Sequence, residues 1–414
     1  VEPCMEDVQR DVERWDGWFE DFFALLAGLW CRVEPRLTAR AYIKALLGPV
    51  ERKNTWQIAA YLGHTAPDKV KDLLRKTTWS WSQLRDRVRE FTVEYLGDPE
   101  AVLVLDETAF LKKGDKSVGV APQYAGITGQ TENCQVAVFL AYITPYGRAL
   151  IDFALYLGRL WAGQAARCGE AGVPRERAGK VLTKPELGRI MVERARCARV
   201  PFAWVAADSV YGQDRKLRAC LQRHGKGYVM TVPCDETVTA GPVGPMRVDK
   251  LVQRLPLVFE RRSCGQGAKG ERFYDWALAE ASWPSPAGEV RRGWCHLLLV
   301  RRSISDPTDI AYFAVHARTG TTLATLVKIA GLRWGVEDCF ETAKSDCGLD
   351  QYEVRKWEPW HRHIALAIAA FAFLSVSATR TARLTRPRED TQPPTDPEPA
   401  IAWPPLTPPP ILNP

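Results

Sequence analysis

The sequence reads as an α/β protein with a helical start and a strand-rich stretch late in the chain. Three observations carry this. Residues 1 to about 98 repeat apolar side chains at helical spacing, as in "WFEDFFALLAGLW" and "WSQLRDRVREFTVEYL". From residue 101, apolar runs that end in an acid, "AVLVLD" and "AWVAAD", alternate with amphipathic stretches, the texture of buried strands covered by helices. Residues 235–320 carry short β-like runs separated by Gly and Pro.

Each element has its own signal. In "TWQIAAYLGHTAPDKVKDLLRK" a helix bearing Ile58, Ala59 and Leu62 stops at Gly63, and a second opens near Pro67 or Asp68. The pair has the form of a helix-turn-helix presenting Lys69, Lys71, Arg75 and Lys76, or of an ordinary hairpin with a lysine-rich surface. "AVLVLD" is a strand, and "NCQVAVFLAYITPYGRALIDFALYL" gives two strands around Pro145, Tyr146 and Gly147. A helix follows over about 184–199, then the strand "PFAWVAADS", the helix "GQDRKLRACLQRHG" and the strand "KGYVMTVP". "HLLLVRRSIS" and "DIAYFAVHA" are strands of the 235–320 segment. Helices follow from about 321, within Gly331–Asp350, and over the Ala-rich run 362–379. Ten of residues 391–414 are proline, a composition for an extended or disordered tail.

Composition narrows the class. The 414 residues are 46% hydrophobic and 25% charged, which suits a globular protein of two or three domains. The net charge of +7 is compatible with a polyanionic partner. Eleven cysteines contain no C-x-x-C pair, so zinc ribbons and disulfide frameworks are not expected, and reduced cytosolic thiols are. The longest apolar run, Ile364 to Leu374, is too short for a bilayer, and no signal pattern opens the chain. No membrane partner is expected.

Candidate chemistry lies in three acids. Asp106 and Asp208 end different strands, and ligand sites of open α/β sheets lie at strand carboxyl ends. Two such carboxylates repel unless a cation joins them. In "GLRWGVEDCFETAKSDCGLD", Arg333, Glu337, Glu341 and Lys344 step by four, four and three along one helix face. Either Glu337 or Glu341 can supply a third carboxylate. Hard oxygen ligands suit Mg²⁺, and two ions about 3.5–4 Å apart serve phosphodiester chemistry. Each acid also has a plain reading as a helix cap or a surface ion pair.

The blocks "VLVLDETAFLKKGDKSVGVAPQYAGITGQTENCQVAVFLAY", "WVAADSVYGQD" and "LRWGVEDCFETAKSDCGLDQYEVRKWEPWHRH" resemble bacterial insertion-sequence DDE transposases. The resemblance is to the IS-four superfamily, on its IS-seven-hundred-one-like branch, and covers roughly residues 30–380. It implies an RNase H-like catalytic core with a β-rich insertion between the second Asp and the Glu. The 128 residues between Asp208 and Glu337 fit that interruption. The family signature of Tyr, Arg, Glu and Lys aligns with Arg333, Glu337 and Lys344, which selects Glu337, although Ala330 replaces the Tyr.

With the texture of the chain, the resemblance gives five segments. They are a helical DNA-binding domain (1–98), the first part of the core (99–234), the β-rich insertion (235–320), the closing core helices (321–380) and the Pro-rich tail (381–414). It implies catalysis by Asp106, Asp208 and Glu337 holding two Mg²⁺, with Mn²⁺ as a substitute. It implies DNA contacts from Arg333 and Lys344, and a flipped base met by one of Trp276, Trp283 or Trp294. Lys112 and Lys113, just past Asp106, are placed either to touch DNA or to form a solvated loop. The expected partners are transposon ends and target DNA, with a homodimer in the synaptic complex, in the bacterial cytoplasm at the nucleoid. A nuclease without strand transfer and a decayed DNA-binding relative are the alternatives.

Overall fold

The computed structural model describes residues 5–385, apart from 242, 268–269, 285–287 and 289. The Pro-rich stretch 386–414 lies outside the described residues, whereas 381–385 belong to the last helix.

Five helices open the chain: α1 (Met5–Ala27), α2 (Val33–Leu47), α3 (Thr55–Tyr61), α4 (Asp68–Arg75) and α5 (Trp81–Leu96). Strands β1 (Val102–Leu111), β2 (Ala121–Ala125), β3 (Gln130–Ile143) and β4 (Arg148–Leu155) follow. Next come α6 (Arg159–Ala162), α7 (Ala165–Glu170), α8 (Lys184–Cys197), β5 (Trp204–Ala207), α9 (Ser209–Gly212), α10 (Arg215–Arg223) and β6 (Gly227–Val232). The strand-rich stretch holds β7 (Thr237–Ala240), β8 (Val243–Arg247), α11 (Val248–Val252), β9 (Glu260–Gly267), β10 (Gly270–Glu280), β11 (Trp294–Arg302) and β12 (Ile310–Arg318). Helices α12 (Leu323–Leu332), α13 (Gly335–Ser345) and α14 (Trp357–Thr385) close the described chain.

One mixed sheet runs β2-β3-β1-β5-β6-β12-β11-β10-β9, and β4 also pairs with β3. Among the described strands β1, β5 and β6 run parallel, with helices in the connections between them, as crossover geometry requires. The strands of the 260–318 stretch continue the same sheet, because β12 pairs antiparallel with β6. A separate small sheet of β7 and β8 sits beside them.

The opening helices share the core with the sheet. Phe22 of α1 meets Phe91 of α5 and Phe373 of α14 at 4.6 and 5.5 Å between ring centroids. Burying each such ring contributes about 1.5–3 kcal/mol. Arg362 of α14, also buried, donates to the carbonyls of Leu74 and Trp79, which ties the α4–α5 turn to the closing helix. Helix α14 has the length and apolarity of a bilayer span, yet 67% of that stretch is buried within the protein. It is the central helix of this core.

Two expectations are corrected in detail. The strand carrying Asp106 does not end there. It runs on to Leu111, because β3 continues to pair with it to Cys134 after β5 has stopped at Ala207. The Gly331–Asp350 stretch is not one helix either. Between α12 and α13, Trp334 and Glu337 donate to carbonyls three residues back, a tighter turn at Arg333–Trp334. At Gly331 a Cβ would stand 1.8 Å from the Cys264 carbonyl oxygen of β9, so α12 lies directly on that strand.

Candidate active site

The strand register delivers the first two acids. Leu105 of β1 pairs with Ala207 of β5, and the next residues along these parallel strands are Asp106 and Asp208. Adjacent strands stand about 4.8 Å apart, so the two carboxylates leave the sheet as neighbours. Beyond Ala207 the chain turns into α9, and Asp208 is its N-cap, accepting from the Val210 amide at 2.9 Å. The capping reading and the site reading therefore hold together for this residue. Asp106 accepts from the Glu107 amide at 2.8 Å.

The third acid arrives from α13. Arg333, at the junction before that helix, faces two carboxylates at once. Its guanidinium stands 3.6 Å from Asp106 and 3.4 Å from Glu337. The i,i+4 pair anticipated on this face is present, and it also reaches the sheet. Glu337 is 55% exposed, whereas Asp106 is 17% exposed. Glu341 lies one turn further along α13 and is exposed.

The helix is held against the sheet on two sides. Phe340 packs edge-on against Phe139 of β3 at 5.4 Å. Trp334 stacks on Tyr274 of β10, with the guanidinium of Arg272 4.8 Å from its ring. The strands of the 260–318 stretch thus help position the Arg333 turn.

Electrostatics single out the strand acids. Burial, reinforced by Asp208, pushes the Asp106 carboxyl up to about 7, and Arg333 offsets only part of this. Asp208 is also raised, by burial first and then by Glu107. Two half-buried carboxyls with raised proton affinity and a third at the solvent edge offer only oxygen donors. Such donors fit a hard divalent cation, whose charge would relieve the repulsion between Asp106 and Asp208.

Glu107 is a residue the sequence reading passed over. It accepts from Lys184 of α8 at 2.6 Å and from the Tyr211 hydroxyl of α9 at 2.5 Å. It therefore braces β1 against the two helices that flank Asp208. The only sequence signal was its place beside Asp106 in "LDET".

The cations divide into two groups. Lys344 is half-buried and donates to Thr108 Oγ1 at 2.7 Å, so it fastens α13 to β1 just past Asp106. Lys112 lies 3.7 Å from the Tyr352 ring centroid, and burial brings its ammonium down to about 8. Lys113 is exposed. With Lys116 these lysines line a groove that shares Glu353, Val354 and Arg355 with a second groove under α4. Lys71, Arg75, Arg355 and Lys356 line that second groove.

Other residues lie apart. Trp276 and Trp283 are buried. Trp294 stacks on His316 at 4.5 Å and borders a cleft with Trp204 and Gly227, at the opposite end of β5 from Asp208. Tyr211 is fully buried, as core packing requires. His361 contacts the Trp357 carbonyl, and His363 lies between the Tyr42 hydroxyl and the Gly348 carbonyl, so both are packing residues.

A family described as DDE superfamily endonuclease matches residues 25–283, a span that includes Asp106 and Asp208. The chain is 31% identical over 313 residues to "Probable transposase for insertion sequence element IS701" of Microchaete diplosiphon, covering 74% of each chain. The chain belongs to the DDE superfamily endonucleases, and within them to the insertion-sequence transposases.

Proposed function

We propose that this transposase binds the terminal inverted repeats of its element, cleaves the ends and joins the 3′-hydroxyl to target DNA. The single observation that carries the reading is that Arg333 lies between Asp106 and Glu337, while the strand register sets Asp208 beside Asp106. Asp106, Asp208 and Glu337 would hold two Mg²⁺, with Mn²⁺ able to substitute. When bound, the ions supply activation of a water or 3′-hydroxyl and stabilisation of the leaving oxygen.

The chain's own residues orient the substrate. Arg333 lies beside the acids and offers a planar fork of N–H donors to a phosphate. Lys344 holds α13 on β1 and with it the spacing between Glu337 and Asp106. Lys112 and Lys113 begin a cationic path that continues through Arg355 to Lys71 and Arg75 of α4. That path suits a phosphate backbone and runs from α4 to the end of β1, the strand that carries Asp106. In this reading β4, β3, β1, β5 and β6 form the RNase H-like core, residues 1–98 the DNA-binding domain and 235–320 the insertion. Two copies would hold the paired ends, on DNA in the bacterial cytoplasm at the nucleoid.

A strand-transfer assay tests the reading. Duplexes with the element's end and an exposed 3′-hydroxyl are incubated with supercoiled target and Mg²⁺. Joined products support transposition. Cleavage without joining assigns a nuclease, and binding without either assigns a non-catalytic relative.

A further inference from the structure

Helices α8 and α10 both pack against α9, the short helix that Asp208 caps. On α10 and its C-cap, Cys220 and His224 are four residues apart and share a face. Across from them, Glu193 of α8 brings Oε1 to 2.7 Å from Cys220 Sγ and 2.9 Å from His224 Nε2. The three donor atoms all lie within 4.8 Å of one another. We propose that Glu193, Cys220 and His224 form a second metal site, separate from the three acids, that takes Zn²⁺.

The donor chemistry selects the ion. One thiol, one imidazole and one carboxylate make a mixed sulfur–nitrogen–oxygen set, which favours zinc over magnesium. Tetrahedral zinc with ligands at about 2.0–2.3 Å needs donors about 3.5 Å apart. The side chains reach that spacing when Glu193 Oε1 draws back by less than about 1 Å from both Cys220 Sγ and His224 Nε2, at 2.7 and 2.9 Å. Outer contacts are in place as well. Arg196 donates through Nε to the other Glu193 oxygen at 2.9 Å, which turns Oε1 toward Cys220 and His224. His224 is partly exposed, giving the ion an entry and leaving the fourth position to water.

Binding breaks the Cys220 S–H bond, forms a sulfur–zinc bond and releases that proton to solvent. His224 binds through the Nε2 lone pair of its neutral ring, and Glu193 binds as the carboxylate. The two anionic ligands balance the ion's charge. Burial, reinforced by Glu193, pushes the Cys220 thiol up to about 12, and Arg223 and Arg189 offset only part of this, so the ion must displace a firmly held proton, which points to moderate affinity. A bound ion would clip α8 to α10 and brace the helix turn that carries Asp208.

Cobalt substitution tests the site in the full chain after chelator treatment. One equivalent of Co²⁺ is expected to produce a thiolate-to-cobalt charge-transfer band in the near ultraviolet, which added Zn²⁺ removes. Carboxylate ligation at the three acids gives no such band, so the two sites are read separately. Cys220→Ser is expected to lose the band. His224→Ala, at a partly exposed position that leaves the core intact, is expected to weaken cobalt binding by at least tenfold. A spectrum without charge transfer in the wild type, or a band that persists in Cys220→Ser, overturns the assignment and leaves a hydrogen-bonded cluster only.

Discussion

The guanidinium of Arg333 stands 3.6 Å from the Asp106 carboxylate, across the boundary between α12–α13 and the central sheet. The same group lies 3.4 Å from Glu337. Arg333 is therefore the common neighbour of a strand acid and a helix acid 231 residues apart in the chain. Arg333→Ala is expected to slow end cleavage by about two orders of magnitude, the usual effect of removing one donor aimed at developing charge. Arg333→Lys keeps the charge without the fork and should recover only part of the rate. Single-turnover cleavage measures both, and an unchanged rate in the alanine variant would count against a substrate role.

Tyr211 has a different kind of importance. Its buried hydroxyl donates to Glu107, which leans on Lys184 as well. Tyr211→Phe removes one donor from a carboxylate with little access to water. The expected loss of stability is about 1–3 kcal/mol, read as a lower melting temperature. A melting point equal to wild type would show that water replaces the hydroxyl at no cost.

Much of this arrangement could be read from the chain itself. Apolar runs closed by an acid marked Asp106 and Asp208 as strand-end residues of buried strands, and the parallel register then sets them side by side. Steps of four and three put Arg333 and Glu337 on one face, and they do form a pair. What escaped was long-range. Nothing local in "LDET" shows that Glu107 meets Lys184 and Tyr211 at separations of 77 and 104 residues. The seat of α12 on β9, where Gly331 lies against Cys264, is made by tertiary packing alone. Helix propensity could not reveal it. Spacing alone also could not separate Glu337 from Glu341. That choice came from family resemblance.

Acid stability should reflect the buried histidines. Burial lowers His296, His316 and His363 to about 4 and His361 to about 3. In the unfolded chain an imidazole titrates at about 6.5. The unfolded state therefore binds more protons between these limits, and stability falls as pH drops through that window. Above about 6.5 the contribution is fully present. Each histidine accounts for up to about 1.4 kcal/mol per pH unit in the window. Chemical unfolding at pH 7, 6, 5 and 4 should show a steep decline, and His363→Gln should make it shallower. A flat profile would mean that these rings are protonated in the folded protein.

The cationic grooves make a quantitative statement about DNA. Arg75→Ala and Arg355→Ala each remove a charge from the groove between α4 and the 353–359 segment. Each should weaken binding about equally for all sequences and lower the slope of log affinity against log salt by about 1. Fluorescence anisotropy across a salt series measures this. Slopes equal to wild type would place the DNA elsewhere.

The most direct test of the three-acid centre is Mg²⁺-dependent cleavage of duplex DNA bearing the element's own ends, with wild type, Glu337→Gln and Glu341→Gln side by side. The expected result is cutting at the end by wild type and by Glu341→Gln, and none by Glu337→Gln, with all three binding the DNA equally. Cutting by Glu337→Gln at the wild-type rate would contradict the assignment. Loss of cutting in Glu341→Gln alone would move the third ligand one turn along α13.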